Sequence, residues 1–133
     1  MEIQLQIPKT ILTAINQLYE LEKKIKLHGD PNNLLRNVIK MKDAFAEDGL
    51  PRGYVGGIYD RYCFTYEDPM GQQFKDTRTD LQATIAGSGT ENLVVVEVVK
   101  PIIRAELRSS TDKFVRVAQK GVVIVESQKE ENP

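Results

Sequence analysis

Apolar positions change their spacing near residue 49, and the change splits the chain into a helical first part and a stranded second part. Ile3, Leu5 and Ile7 alternate with polar residues and predict a short strand that Pro8 ends. Residues 10–27 then carry a helical pattern, with the Thr10 hydroxyl placed to accept from a first-turn N–H. Ile11, Leu18 and Ile25 are spaced as one heptad seam, and Ala14 and Leu21 fall between them. Gly29 stops that helix, with Lys26 and His28 near its negative end. Asp30 and Pro31 suit the cap and first position of a second helix. Along it Leu34, Val38, Met41 and Phe45 give one apolar face, widened by Leu35 and Ile39, until Gly49 and Pro51. The short linker predicts a helical hairpin; one long helix broken at residues 29–31 is the other solution. Two amphipathic helices must cover their faces on the stranded part or on a second copy. The second solution makes Ile11, Leu18, Leu21, Ile25, Leu34, Val38, Met41 and Phe45 dimerisation residues.

Beyond residue 49, Gly53, Gly56 and Gly57 lie among Tyr54, Tyr59, Tyr62 and Tyr66. Strands are predicted over 61–66, 81–86, 93–99, 102–107, 114–117 and 122–125. Turn signals separate them at 68–71, 87–90, 108–112 and 119–121, with Pro101 as a break. The fold class is therefore α+β: an N-terminal helical hairpin or dimerisation arm over 1–49, then a small antiparallel β domain over 50–126 and a disordered tail over 127–133.

Composition adds bounds. At 133 residues, 41% hydrophobic and 28% charged, the chain has ordinary globular usage. A formal net charge of −1 gives no global pull toward nucleic acid or an anionic membrane. The longest apolar run, residues 93–96, is far short of a membrane span, and the start of the chain does not read as a signal peptide. A single cysteine, Cys63, permits no intrachain disulfide and fits a cytoplasmic location.

The search for catalytic chemistry is short. His28 is the sole histidine and reads as a helix-end surface residue; Cys63 reads as a buried, inert thiol. One Cys and one His leave no zinc set, and no metal or other cofactor is expected. The glycines at 87 and 89 lack the longer frame, lysine and helix of a phosphate loop. Asp76 and Asp80 flank Arg78, which would neutralise a shared cation site, so this segment reads as a solvated loop with local ion pairs, and a protein-docking loop is its better functional reading. Lys100, Arg104 and Arg108 interleave with Glu97 and Glu106, as on a solvated strand face. The expectation is a non-enzymatic module that binds protein, with a small ligand carrier built on Asp76, Asp80 and the tyrosines as a distant alternative.

The second half resembles the β domain of GrpE, the nucleotide exchange factor of Hsp70 chaperones. The resemblance rests on Gly71-Gln72-Gln73-Phe74-Lys75-Asp76, Leu81-Gln82-Ala83-Thr84-Ile85, the valine-rich stretch 94–99, Arg116-Val117-Ala118 and Val122-Val123-Ile124-Val125. It covers residues 71–126 loosely, and the helices only in kind. Gln73 stands where the family has proline, the family's histidine is missing, Pro101-Ile102 stands near its Gly-Tyr pair, and residues 50–67 look inserted. The resemblance implies a homodimer whose β domain wedges into the ATPase cleft of an Hsp70, with Gly71, Phe74, Arg116 and Ala118 as docking residues; Asp76, from the loop read as protein-docking, joins them as a partner-binding candidate. The alternative is a structural or regulatory adaptor that dimerises through its helices and binds an unrelated protein.

Overall fold

The computed structural model describes residues 7–51, 61–109 and 112–128. The expected strand at residues 3–7 lies almost wholly outside these residues. So do Gly53, Tyr54, Gly56, Gly57 and Tyr59, the tip of the 108–112 loop, and most of the 127–133 tail. The described residues form two α-helices and seven strands: α1 Lys9–His28, α2 Leu35–Asp43, β1 Leu50–Pro51, β2 Arg61–Glu67, β3 Leu81–Ala86, β4 Leu93–Lys100, β5 Ile102–Arg108, β6 Lys113–Gln119 and β7 Gly121–Ser127. The class is α+β, as the pattern predicts.

The helices end where the residues dictate, with one shift. Thr10 makes no cap; Pro8 precedes the first turn, and Gly29 closes α1 at φ 91° with its N–H on the Ile25 carbonyl. Asp30 does cap the second helix, but not at Pro31. Asn33 takes a left-handed φ of 55°, and the Asp30 carboxylate reaches past the turn to accept the N–H groups of Leu34 and Leu35. The helix therefore begins at Leu35 rather than beside the proline. It finishes in a π-helical turn, Ala44–Asp48, closed by Gly49 at φ 63°. A Cβ at Gly49 would run into the Tyr62 carbonyl, so this exit needs glycine on two counts.

The chain forms two compact units that do not run in sequence order. One is 1–66 with 103–118, the other 67–102 with 119–133. The first contains the order β1-β2-β5-β6, with β1 antiparallel to β2. Alternation along β2 and β5 turns Tyr62, Phe64, Ile103, Ala105 and Leu107 inward, where Ile15 of α1 packs on them. A second cluster joins Leu18 and Ile25 of α1 to Val38 of α2, and Phe45 and Tyr66 touch both clusters. The inward helix faces are thus covered within the unit's own core.

The second unit is built on the order β3-β7-β4. A wholly antiparallel β region was expected; instead β3 runs parallel to β7 in unbroken register from Leu81↔Gly121 to Ala86↔Glu126. The parallel pairing follows from the long route between the two strands, which passes through β4, β5 and β6. β4 runs antiparallel to β7 with register shifts at Val95/Glu97 and Val98/Lys100. Leu81, Leu93, Val95, Val98, Ile102, Val123 and Val125 are buried here. Gly121 lets β7 start against them, since a Cβ would lie 2.9 Å from both Ile102 Cγ1 and Leu81 Cδ2.

Candidate functional site

Turn chemistry fixes the loop between β2 and β3 to the edge of β4. The Asp68 carboxylate accepts the Met70 N–H at 2.9 Å, and Gly71 supplies a φ of 79°. The next residues then pair with β4: Gly71 N–H donates to the Val95 carbonyl, Val95 N–H to the Gln72 carbonyl, and Phe74 N–H to the Leu93 carbonyl. Gln73 bridges Val94 in antiparallel sense. The loop therefore serves as a short extra strand.

Arg78 holds the far side of this loop. Its guanidinium makes two bonds to Asp80, each 3.0 Å, one to the Gln72 side-chain oxygen at 3.0 Å and one to the Gln73 carbonyl at 3.2 Å. The Gln72 amide in turn donates to Glu67 at 2.6 Å. A planar fork that engages a carboxylate with both prongs gives direction as well as attraction. Local ion pairing at 76–80 was legible in the sequence, but the grip on Gln72 and Gln73 was not.

Beside the clamped loop lies an open depression of about 400 Å³ lined by Gln73, Phe74, Lys75, Asp76, Thr77, Thr90, Asn92 and Leu93. Phe74 is half-buried in it and Asp76 is exposed. An aromatic ring framed by amides, hydroxyls and one charge of each sign suits contact with a polypeptide. Gly71, Phe74 and Asp76 thus come together in one loop. Arg116 and Ala118 lie on β6, in the other unit: the Arg116 guanidinium sits 4.3 Å over the Phe114 ring, and Ala118 packs on that unit's core.

Of the helix residues expected at a dimer contact, Leu18, Ile25 and Val38 are enclosed at 5%, 9% and 3% exposure, and Ile11 and Phe45 pack beside them or on the sheet core. Leu21, Leu34 and Met41 are exposed. His28 is an exposed helix-end residue. Cys63 is buried, its Sγ 3.7 Å from the Glu47 carbonyl, and burial pushes its thiol pKa up. Among the described residues no group of His, Cys, Asp and Glu is arranged to hold a metal, and no helix is long and apolar enough to cross a membrane.

No family model, curated protein or solved structure matches the chain. The GrpE resemblance therefore rests on the residues quoted for it.

One cluster had only a partial signal in the sequence, the four-residue spacing of Glu22 and Lys26 on α1. Glu22 lies 3.3 Å from both Lys26 and Lys42 and accepts the Tyr66 hydroxyl at 3.1 Å. Lys42 also stands 4.6 Å over the Tyr66 ring, which meets Tyr19 edge-on. Burial pushes the Glu22 carboxyl up, but Lys42, Tyr66 and Lys26 outweigh it and hold it below the usual range. Burial, then the Glu22 charge, raises the Tyr66 hydroxyl. Two of the three Glu22 partners are 20 and 44 residues away in sequence, so local spacing could not reveal the group.

Proposed function

We propose that this chain is a non-catalytic, cytoplasmic protein-binding module that resembles a GrpE-type exchange factor and acts on an Hsp70 chaperone through residues 71–77. The observation that supports the reading is the clamped loop. Phe74, singled out by the resemblance, and Asp76, from the loop read as protein-docking, stand together on a segment bonded to β4 on one side and held by Arg78 on the other. A loop ordered before binding loses little conformational freedom when a partner arrives.

Exchange needs no reacting side chain. A wedge that binds the open form of a nucleotide cleft better than the closed form shifts the cleft toward opening by that difference in affinity. The wedge itself does not depend on the helix seam, of which Leu21, Leu34 and Met41 are open to solvent. The test is ADP release from an Hsp70 of the same organism. Acceleration by the intact chain, reduced by Phe74→Ala and Asp76→Lys, supports the reading. No acceleration over a wide concentration range sinks it.

A second reading, an adaptor for an unrelated protein, is favoured by Gln73. It replaces the family's proline, and its carbonyl is taken up by Arg78. A dimer that neither binds an Hsp70 nor speeds its ADP release would count for the adaptor.

A further inference from the structure

The three-stranded sheet treats its two edges differently. The β4 edge is closed by residues 71–74. The β3 edge pairs with no described residue. The direction of its backbone groups follows from one bond: Gly121 N–H donates to the Asp80 carbonyl at 2.9 Å. Residue 80 thus faces β7, and alternation turns 82, 84 and 86 the same way. The N–H and C=O groups of Leu81, Ala83 and Ile85 then point outward along the open edge.

This edge lacks the features that keep edge strands from pairing. Its sequence Leu-Gln-Ala-Thr-Ile-Ala has no charge and no proline, and its register with β7 has no bulge. Each of the other strands from β2 to β7 carries at least one charged residue. Ile85 is 44% exposed.

We propose that β3 is an interface for a second copy of this chain, paired antiparallel with its own symmetry mate to join two sheets into one. A two-fold axis between antiparallel strands of one sheet stands perpendicular to that sheet, so paired residues share a face. With Ala83 opposite Ala83 of the second copy, Leu81 meets Ile85 and Gln82 meets Thr84. Apolar residues then pair on one face and an amide meets a hydroxyl on the other. The outward groups of residues 81, 83 and 85 fall at the hydrogen-bonded positions of that same register. No like charges oppose each other, which a charged strand on its own copy would find hard to avoid. This interface is independent of any Hsp70 partner and of the exposed helix residues.

The test is sedimentation of the full chain over a dilution series, with circular dichroism to check folding. Ala83→Pro removes an outward N–H that takes no part in the ladder with β7, and Ile85→Lys puts a charge on the edge. Each is expected to raise the dissociation constant at least about tenfold, whereas Leu34→Asp leaves it unchanged. Slower amide exchange at Ala83 with rising protein concentration would agree. A chain that is monomeric up to about millimolar concentration overturns the proposal. So does a dimer that survives both β3 variants, or one that Leu34→Asp alone dissolves.

Discussion

The two sheets solve the same problem with different means. The β1-β2-β5-β6 sheet has helices packed on its inner face and large rings in its core, with Phe45 edge-on to Phe64 at 6.5 Å. One of its outer strands is only two residues long, and the other carries Lys113 and Arg116. The β3-β7-β4 sheet has a core of branched aliphatic residues, a loop folded along one edge and an uncharged strand at the other. The first unit blunts both edges of its sheet and leaves its exposed apolar side chains, Leu21, Leu34 and Met41 among them, on helices; the second keeps backbone and ring surface where another polypeptide can reach it.

The largest expected effect tests that contrast in stability. Phe64→Ala removes a ring that is 1% exposed and should cost about 3–5 kcal/mol, while Val95→Ala in the other unit should cost about 2. All five tyrosines fall within residues 1–66, so tyrosine fluorescence in urea reports the first unit alone and circular dichroism reports both. Phe64→Ala should shift the fluorescence midpoint. If Val95→Ala shifts it as far, the units unfold together and the contrast is thermodynamically empty.

Gly49→Ala is next, at about 1–3 kcal/mol in thermal melts, because it combines a left-handed φ with a clash on the Tyr62 carbonyl. Arg78→Ala should cost roughly 1 kcal/mol, the fork being partly exposed. Its sharper signature is local: amide exchange at Phe74 and Val95 should quicken several-fold while the first unit is unaffected. The smallest effect concerns Glu22. Its folded pKa lies below the unfolded value of about 4.3, so its contribution is full above that value and is lost as pH falls through the folded pKa. Glu22→Gln should flatten that part of the acid limb of stability, and an unchanged limb would remove Glu22 from the account.

The limits of β2 to β5 were legible to within a residue, because alternation and punctuation by Pro101 and Gly87 are local signals, whereas β6 and β7 run one or two residues further at each end and β1 had no signal. The start of α2 was not: Asp30-Pro31 is a sound helix opening, but the reach of the Asp30 carboxylate to Leu34 and Leu35 and the turn of Asn33 delay it. Nor was the parallel pairing of β3 with β7, since register between strands some forty residues apart is set by packing and not by neighbours. In the candidate site, Phe74 was visible through a resemblance, and Asp76 and the Arg78–Asp80 pair through the density and order of charge at 76–80. The link from Arg78 to Gln72 and Gln73 depends on a loop geometry that no spacing rule supplies.

The central place of β7 sets an order of events during synthesis. β3 and β4 both take their main partner from it, yet it is the last of the seven strands to leave the ribosome. Until residues 121–127 emerge, the nascent chain holds two apolar strands with nothing between them, while every strand of the other sheet has already been made. A chain stopped just short of Gly121 would keep one sheet and lose the other, and the interval before β7 appears is when this protein most needs protection from its neighbours.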